Sequence, residues 1–279
     1  MILVGLSLVL QIMRNINRYI LFLLISAAIS ACSDFAKIQK SDNVAQKAQA
    51  GIDYYKKKNY YRASILLDEV VPLMKGKAEA EETQYYQAYT YYDDKQYVLS
   101  AYHFKEFCET YPRSVHVEEC SFLQAKSLYK DSPNHDLDQT NTFDAIEAFQ
   151  SFANKYPTSK YLFEANTLTD ELNKKLELKD YENAKLFYRI GNYKSAIVAF
   201  SNFLEHYPTG DYSEEITFLK VEAQYNLAKV SVEGLKKRTR FLEAIEFYHD
   251  FIDKYPESKY KKVAENIYDF CNRQVSKEV

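Results

Sequence analysis

The stretch EAFQSFANKYPTSKY, Glu147–Tyr161, is one of four versions of a single line. VAFSNFLEHYPTGDY begins at Val198, EFYHDFIDKYPESKY at Glu246, and a looser copy, YHFKEFCETYPRS, at Tyr102. In AIEAFQSFANKYP, Ala145–Pro157, the apolar positions Ile146, Phe149, Phe152 and Ala153 keep the spacing of one helix face. Tyr156-Pro157 ends the helix, because proline disfavours the α conformation in the residue before it. Thr158 or Ser159 is then placed to cap the next helix. A line made of helix, stop and restart, repeated along the chain, predicts stacked helical units that share one continuous core.

Small residues set the register. Ala63, Ser100, Ala145, Ala196 and Ala244 recur in the second helix of each unit, and Gly51, Ala88 and Ala184 stand twelve residues before three of them. Antiparallel helices about 9 Å apart approach only where side chains are small. Tyr54, Tyr91 and Phe187 follow the early small positions, while Tyr60, Tyr97, Tyr193 and Phe241 precede late ones. These aromatics are expected to fill the gaps beside the contact. Asn59 and Gly191-Asn192 fall at turns, where positive φ is tolerated. This is the skeleton of a tetratricopeptide repeat. The predicted fold is all-α, a right-handed superhelical solenoid of five tetratricopeptide repeats with a C-terminal capping helix over SKYKKVAENIYDFCNRQV, Ser258–Val275.

The units differ in length. Twenty residues instead of twelve separate Ala125 from Ala145, the excess being the polar insert KDSPNHDLDQTN, Lys130–Asn141. A loop is expected near VEGLKKRT, which starts at Val232. From Pro157 to Ala184 there are 27 residues, against 13 from Pro112 to Ala125, and the added stretch has no Gly or Pro. As helix the excess adds about 21 Å. One long helix is expected from about Ser159 to Arg189. The predicted layout is a signal peptide over 1–31, a tether over 32–43, repeats 1–3 over 44–158, and repeats 4–5 with the linking and capping helices over 159–279.

The N-terminal segment MRNINRYILFLLISAAISAC, Met13–Cys32, has Arg14 and Arg18, an apolar run from Tyr19 to Ile29, then small residues. That is the layout of a secretory signal peptide, and the run is shorter than the roughly 20 residues a spanning helix needs. Ile29-Ser30-Ala31-Cys32 resembles a bacterial lipobox, which implies a diacylated Cys32 as the first mature residue. Ser33 after it is compatible with the outer membrane, and SDFAKIQKSDNV is expected to form a polar tether. The apolar residues 1–12 precede the basic ones, so Met13 is a second candidate start.

Composition removes other classes. Six Gly and six Pro in 279 residues are too few for an all-β chain, and 47% apolar with 27% charged residues describes a folded one. A net charge of -3 gives no electrostatic case for nucleic acid. His103, His116, His135, His206 and His249 form no HExxH motif, and neither a glycine-rich phosphate loop nor GxSxG occurs, so neither an enzyme nor a cofactor or metal site is expected. His116 and Cys120 lie four apart but lack further ligands, and Cys120 has the spacing of a small packing residue. Cys108 and Cys120 flank a connection, and the sequence leaves open whether they pair. The basic runs Lys56–Lys58 and Lys236–Arg238 are expected at helix ends, where cations favour the carbonyl terminus.

Lipobox, repeats with Tyr-Pro exits, the insert from Asp136-Leu137-Asp138-Gln139-Thr140 into Phe149, Phe152 and Tyr156-Pro157, and the long helix together resemble the BamD family of outer-membrane protein assembly lipoproteins. The resemblance spans nearly all of the mature chain, and its Tyr and Lys content resembles Bacteroidetes members. It implies anchorage in the outer membrane by lipid, facing the periplasm, binding to the periplasmic domains of BamA, and reception of unfolded outer-membrane proteins. The alternative is a periplasmic repeat lipoprotein organising cell-wall or envelope-division proteins.

Function is therefore expected as binding. First helices of such repeats line the concave face, which puts Glu82, Tyr85, Tyr89 and Tyr92 in a groove for substrate peptides. In the fourth repeat the register puts Leu178, Tyr181, Lys185 and Tyr188 there. Tyr181, Lys185 and Tyr188, with Asp136, Asp138 and Gln139 of the insert, are the candidate partner contacts. A tyrosine groove suits an extended peptide with aromatic side chains.

Overall fold

The computed structural model describes residues 34–232 and 234–277, so the expected signal peptide and Cys32 lie outside the described residues. Among the described residues there are helices and no strand. The helices are α1 (Val44–Lys56), α2 (Tyr60–Met74), α3 (Ala80–Asp93), α4 (Tyr97–Thr110), α5 (Val117–Asp131), α6 (Thr140–Lys155), α7 (Leu162–Arg189), α8 (Tyr193–His206), α9 (Ser213–Lys229), α10 (Leu235–Lys254) and α11 (Lys261–Lys277). The expected long helix is α7, with 28 residues.

The small-residue register holds. Ala63, Ser100, Ala145 and Ala196 have no exposed surface, and Gly51, Ala88, Ala184 and Ala244 are buried with them. A Cβ built on Gly51 would lie 2.8 Å from the Leu67 side chain, so α1 and α2 meet there with no room for a methyl group. Phe187 departs from expectation. It is 38% exposed, whereas Tyr91 in the matching place is 8% exposed. The turns fall at the expected places, and Gly191 has the positive φ expected of its turn. Asn59 and Asn192 keep negative φ and act as N-caps, accepting from the amides of Arg62 and Ser195 at 3.3 Å each. In the first turn the positive φ falls one residue before Asn59, at Lys58.

The repeated Tyr-Pro line has a local mechanism. Tyr111, Tyr156, Tyr207 and Tyr255 each pack on the phenylalanine four residues before, with ring centroids 5.2, 5.4, 5.0 and 6.1 Å apart. Three residues after three of these tyrosines comes Ser114, Ser159 or Ser258. Each serine oxygen accepts from the amide two residues on. Each hydroxyl also donates, at 2.6 Å, to a glutamate of the preceding first helix: Glu81, Glu118 or Glu214. The remaining copy has Gly210, and there Glu177 accepts directly from the Tyr212 amide at 3.2 Å. A Cβ on Gly210 would fall 2.1 Å from the Glu177 carboxylate.

The chain divides into two compact units. Unit 1 takes the residues up to Asp131 and Asp144–Ala165; unit 2 takes Ser132–Phe143 and everything from Asn166 onward. The polar insert thus groups with the second unit, where a boundary at 158 had put it in the first. The reason is its partners: the Lys175 ammonium donates to Ser132 Oγ at 2.7 Å, and Lys179 donates to the carbonyls of His135 and Leu137 at 3.1 and 2.6 Å. In unit 1, Leu66, Leu67, Phe104, Phe107, Phe149 and Phe152 are essentially unexposed. In unit 2, Phe200, Ile216, Phe251 and Leu172 are.

Two segments depart from expectation. Residues 34–39 are helical rather than a free tether: Phe35 meets Tyr54 edge-on at 5.5 Å, and the Arg62 guanidinium lies over both rings. The loop expected near VEGLKKRT ends at Gly234, so Lys236–Arg238 occupy the amide end of α10 and not a carbonyl end. Arg240, one turn into that helix, hydrogen-bonds Ser231 before the loop. Lys56 does sit in the last turn of α1.

Candidate binding groove

Helix α3 has two working faces. Ala88 and Tyr91 turn inward, and the Tyr91 hydroxyl donates to Asp68 while its ring stacks on His103 at 4.8 Å. Tyr85, Tyr89 and Tyr92 form a separate, half-buried stripe, and Glu82 is exposed at one end of it. The Tyr85 and Tyr89 rings are 4.8 Å apart, and Tyr92 leans on Tyr97 and Phe104. The stripe continues onto α1, where Tyr55 contacts Tyr86 at 5.2 Å and Tyr89 at 6.4 Å, and its hydroxyl donates to Asp93 at 2.7 Å.

Glu119 of α5 holds the centre. It accepts from the Tyr89 hydroxyl at 2.7 Å and from the Tyr85 hydroxyl at 3.3 Å. Burial pushes Tyr85 up to about 12, with the Tyr89 hydrogen bond opposing and Glu119 reinforcing. Burial, and then the bond to Glu119, pushes Tyr89 up as well. Both phenols therefore remain neutral donors at any physiological pH. Beside them opens a cleft of 450 Å³ lined by Ala78, Glu81, Glu82, Tyr85, Tyr86 and His116. Its walls are aromatic rings edged by carboxylates, so it offers stacking surface and hydrogen-bond acceptors.

The second candidate set is the same constellation with two substitutions, Lys185 for Tyr89 and Tyr212 for His116. In unit 2 the Tyr181 hydroxyl donates to Glu215 at 3.0 Å, and both this pair and Tyr85–Glu119 are 34 residues apart. Lys185 stands where α3 has Tyr89. Its ammonium bonds the Tyr181 hydroxyl and lies 2.9 Å from Glu215. Burial opposes ionisation of Glu215, but hydrogen bonds from Lys185 and Tyr181 outweigh it and hold the carboxyl below its ordinary value. Tyr212 stacks on Tyr181 at 4.1 Å and leaves it 6% exposed. In unit 1 the tilted His116 ring leaves Tyr85 half-buried, whereas here the closer stacked Tyr212 and an ion pair close the site. Tyr188 is half-buried against Tyr193 and Phe200.

The insert residues have different roles. Gln139 is 4% exposed and spends its amide on the carbonyls of Asn134 and Leu137 and on Thr142, so it braces the loop from inside. Asp138 is exposed and accepts from the Thr140 amide at 3.0 Å; hydrogen bonds from Thr140 hold its carboxyl below the usual range. Asp136 is exposed at a cleft of 310 Å³ shared with His135, Lys179 and Arg189.

Cys108 and Cys120 are free thiols, not a disulfide. Cys120 has no exposed surface, matching its expected packing role, while His116 lies against the Tyr85 ring at 4.5 Å. Residue-level reading missed Glu119, Glu215, Tyr55 and Tyr86. The shared 34-residue separation was the available signal for the two glutamates.

A family model described as YfiO, outer membrane lipoprotein, matches residues 40–193 and again 180–278. The outer membrane protein assembly factor BamD of Rickettsia prowazekii is 24% identical over 246 residues, 87% of this chain and 92% of its own length. An Aquifex aeolicus protein provisionally carrying the same name is 24% identical over 251 residues, 89% of this chain and 81% of its own. BamD of Caulobacter vibrioides is 22% identical over 204 residues, 72% of this chain and 67% of its own. These relatives give no support to a Bacteroidetes source.

Proposed function

The chain belongs to the YfiO family of outer membrane lipoproteins, and on that premise we propose that it serves outer-membrane protein assembly as a binding scaffold. It is held at the outer membrane by acylated Cys32 and faces the periplasm. Among the described residues no helix is long and apolar enough to cross a membrane. Unit 1 receives extended segments of unfolded barrel proteins along Tyr85, Tyr89 and Tyr92. Unit 2 docks the periplasmic domains of BamA through the exposed insert around Asp136 and Asp138.

One observation carries this division: the stripe in unit 1 opens on a cleft, whereas its counterpart in unit 2 is closed by Tyr212 and the Lys185–Glu215 pair. Barrel strands alternate apolar side chains, which suits a groove of stacked phenols. Replacing Tyr85, Tyr89 and Tyr92 together by Ser is expected to weaken a fluorescent barrel-derived peptide about tenfold or more in anisotropy, on the order of one lost aromatic contact per ring. A BamA pull-down on the same variant is expected to be unchanged. Loss of BamA with peptide binding kept would reverse the assignment. Loss of both with a lowered melting point would make the stripe core.

A further inference from the structure

The segment from Asp34 to Gln39 is not slack. Residues 34–39 form a short helix with Phe35 and Ile38, three apart, facing the protein and Asp34, Lys37 and Lys40 facing out. Phe35 meets the Tyr54 ring at 5.5 Å, and the Arg62 guanidinium covers Phe35 at 5.1 Å and Tyr54 at 5.6 Å. Asp34, Ile38, Asp53, Tyr54, Lys57 and Arg62 wall one cleft of 480 Å³. An aromatic ring held between a second ring and a guanidinium is a specific seat, stronger than the incidental contact of a polar leash.

This seat fixes how far the chain reaches. A free tether from Cys32 to Val44 would span up to roughly 43 Å at about 3.6 Å per residue. With Phe35 seated, three residue steps lead from it to Cys32, and the reach falls to roughly 11 Å. The end of the first hairpin is cationic. Lys57 and Lys58 follow α1 and are exposed, Lys37 is 78% exposed on the seated helix, and Arg62 lies beside them. Asp34 and Asp53, with Asp93 and Asp94 at the end of α3, are the nearby carboxylates; Asp34 pairs with Lys37 at 3.7 Å, Asp53 accepts from Gln49, and Asp93 accepts from Tyr55. Lys37, Lys56, Lys57, Lys58 and Arg62 outnumber these four.

We propose that the α1–α2 end, with the seated 34–39 helix, is a membrane-docking face for anionic phospholipid headgroups. The Phe35 seat shortens the lipid anchor and brings Lys37, Lys57 and Lys58 to the bilayer surface. Juxtamembrane cations gain from the negative surface potential only within about a Debye length, roughly 8–10 Å, so a short leash decides whether they contribute. The proposal rests on acylation of Cys32.

The chain has no tryptophan, so a single introduced one reports its own position. Tyr61 is 73% exposed on α2 beside Arg62, and Tyr102 is 59% exposed on α4. Full-length lipoprotein carrying Y61W or Y102W is reconstituted in phosphatidylglycerol vesicles that contain dansyl-headgroup lipid. Acyl content is measured by mass spectrometry on the same samples. Energy transfer is expected to be at least twofold greater from Y61W than from Y102W. It should fall to the Y102W level when F35A, or K57E with K58E, is added, and when phosphatidylcholine replaces the anionic lipid. Circular dichroism melts check that the added variants remain folded. Equal transfer from both positions on acylated protein, or no change with F35A, would overturn the docking face while leaving the anchor intact. Absence of acyl chain would overturn the anchor itself, and the proposal with it.

Discussion

The hydroxyl of Tyr89 donates to Oε1 of Glu119 at 2.7 Å, joining α3 to α5 across the open side of unit 1. Tyr85 donates to the other oxygen of the same carboxylate at 3.3 Å. One glutamate thus orients two rings of the groove. Glu119→Ala should leave the Tyr89 hydroxyl half-buried without this acceptor, at a cost of about 1–3 kcal/mol in urea unfolding. Ultraviolet titration should show the raised tyrosine population moving back toward 10. An unchanged titration would mean that Glu119 does not govern the pair.

In unit 2 the Lys185–Glu215 pair makes stability depend on pH at both extremes. Glu215 is held below its ordinary value, so its contribution is present above that value, near 4.5, and is lost as pH falls through the lower folded pKa. Burial opposes the charge on Lys185, but bonds to Tyr181 and Glu215 win and raise it, so its share is lost only as pH rises past 10.5 and through the higher folded pKa. Glu215→Gln should cost about 1–3 kcal/mol at pH 7, and the gap from the parent should close as pH falls below 4.5 and through the lower folded pKa. A gap that does not narrow as pH falls would locate the effect in packing.

Ala196 has no exposed surface and Ala184 is 4% exposed, as expected of a close α7–α8 contact. Ala196→Phe should overpack it by about 1–3 kcal/mol or more, read as a lower denaturation midpoint. An unchanged midpoint would refute the register.

Gly210 marks the one Tyr-Pro exit where a carboxylate replaces the serine brace. Gly210→Ala should displace Glu177 from the Tyr212 amide and destabilise by about 1–3 kcal/mol. Gly210→Ala with Glu177→Ala should recover part of that loss, and failure to recover any would place the strain in the backbone.

What the sequence made legible follows from periodicity. The small residues from Gly51 to Ala244 are visible because each helix contact repeats the same steric limit, and α7 because 27 residues without a breaker have one regular solution. The 34–39 helix was hidden. It is too short for a period, and its order comes from Tyr54 and Arg62 far along the chain. Gln139 and the insert were hidden for the same reason, since their polar composition reads as solvent-facing until Lys175 and Lys179 are brought beside them. The tyrosine stripe was visible on α3, but its orienting glutamate was not, because one hydrogen bond between helices leaves no local pattern.

The central claim is that the open stripe of unit 1 receives unfolded barrel chains. A photo-crosslinking residue placed at Glu82, exposed at the rim of that cleft, tests it in growing cells, with the same residue at Tyr102 on α4 as the comparison. Capture of newly made barrel proteins from position 82, several-fold above position 102 and lost with Tyr85, Tyr89 and Tyr92 replaced, is the result predicted. Equal capture from both positions, or capture from position 82 that survives the triple replacement in a folded protein, would contradict it.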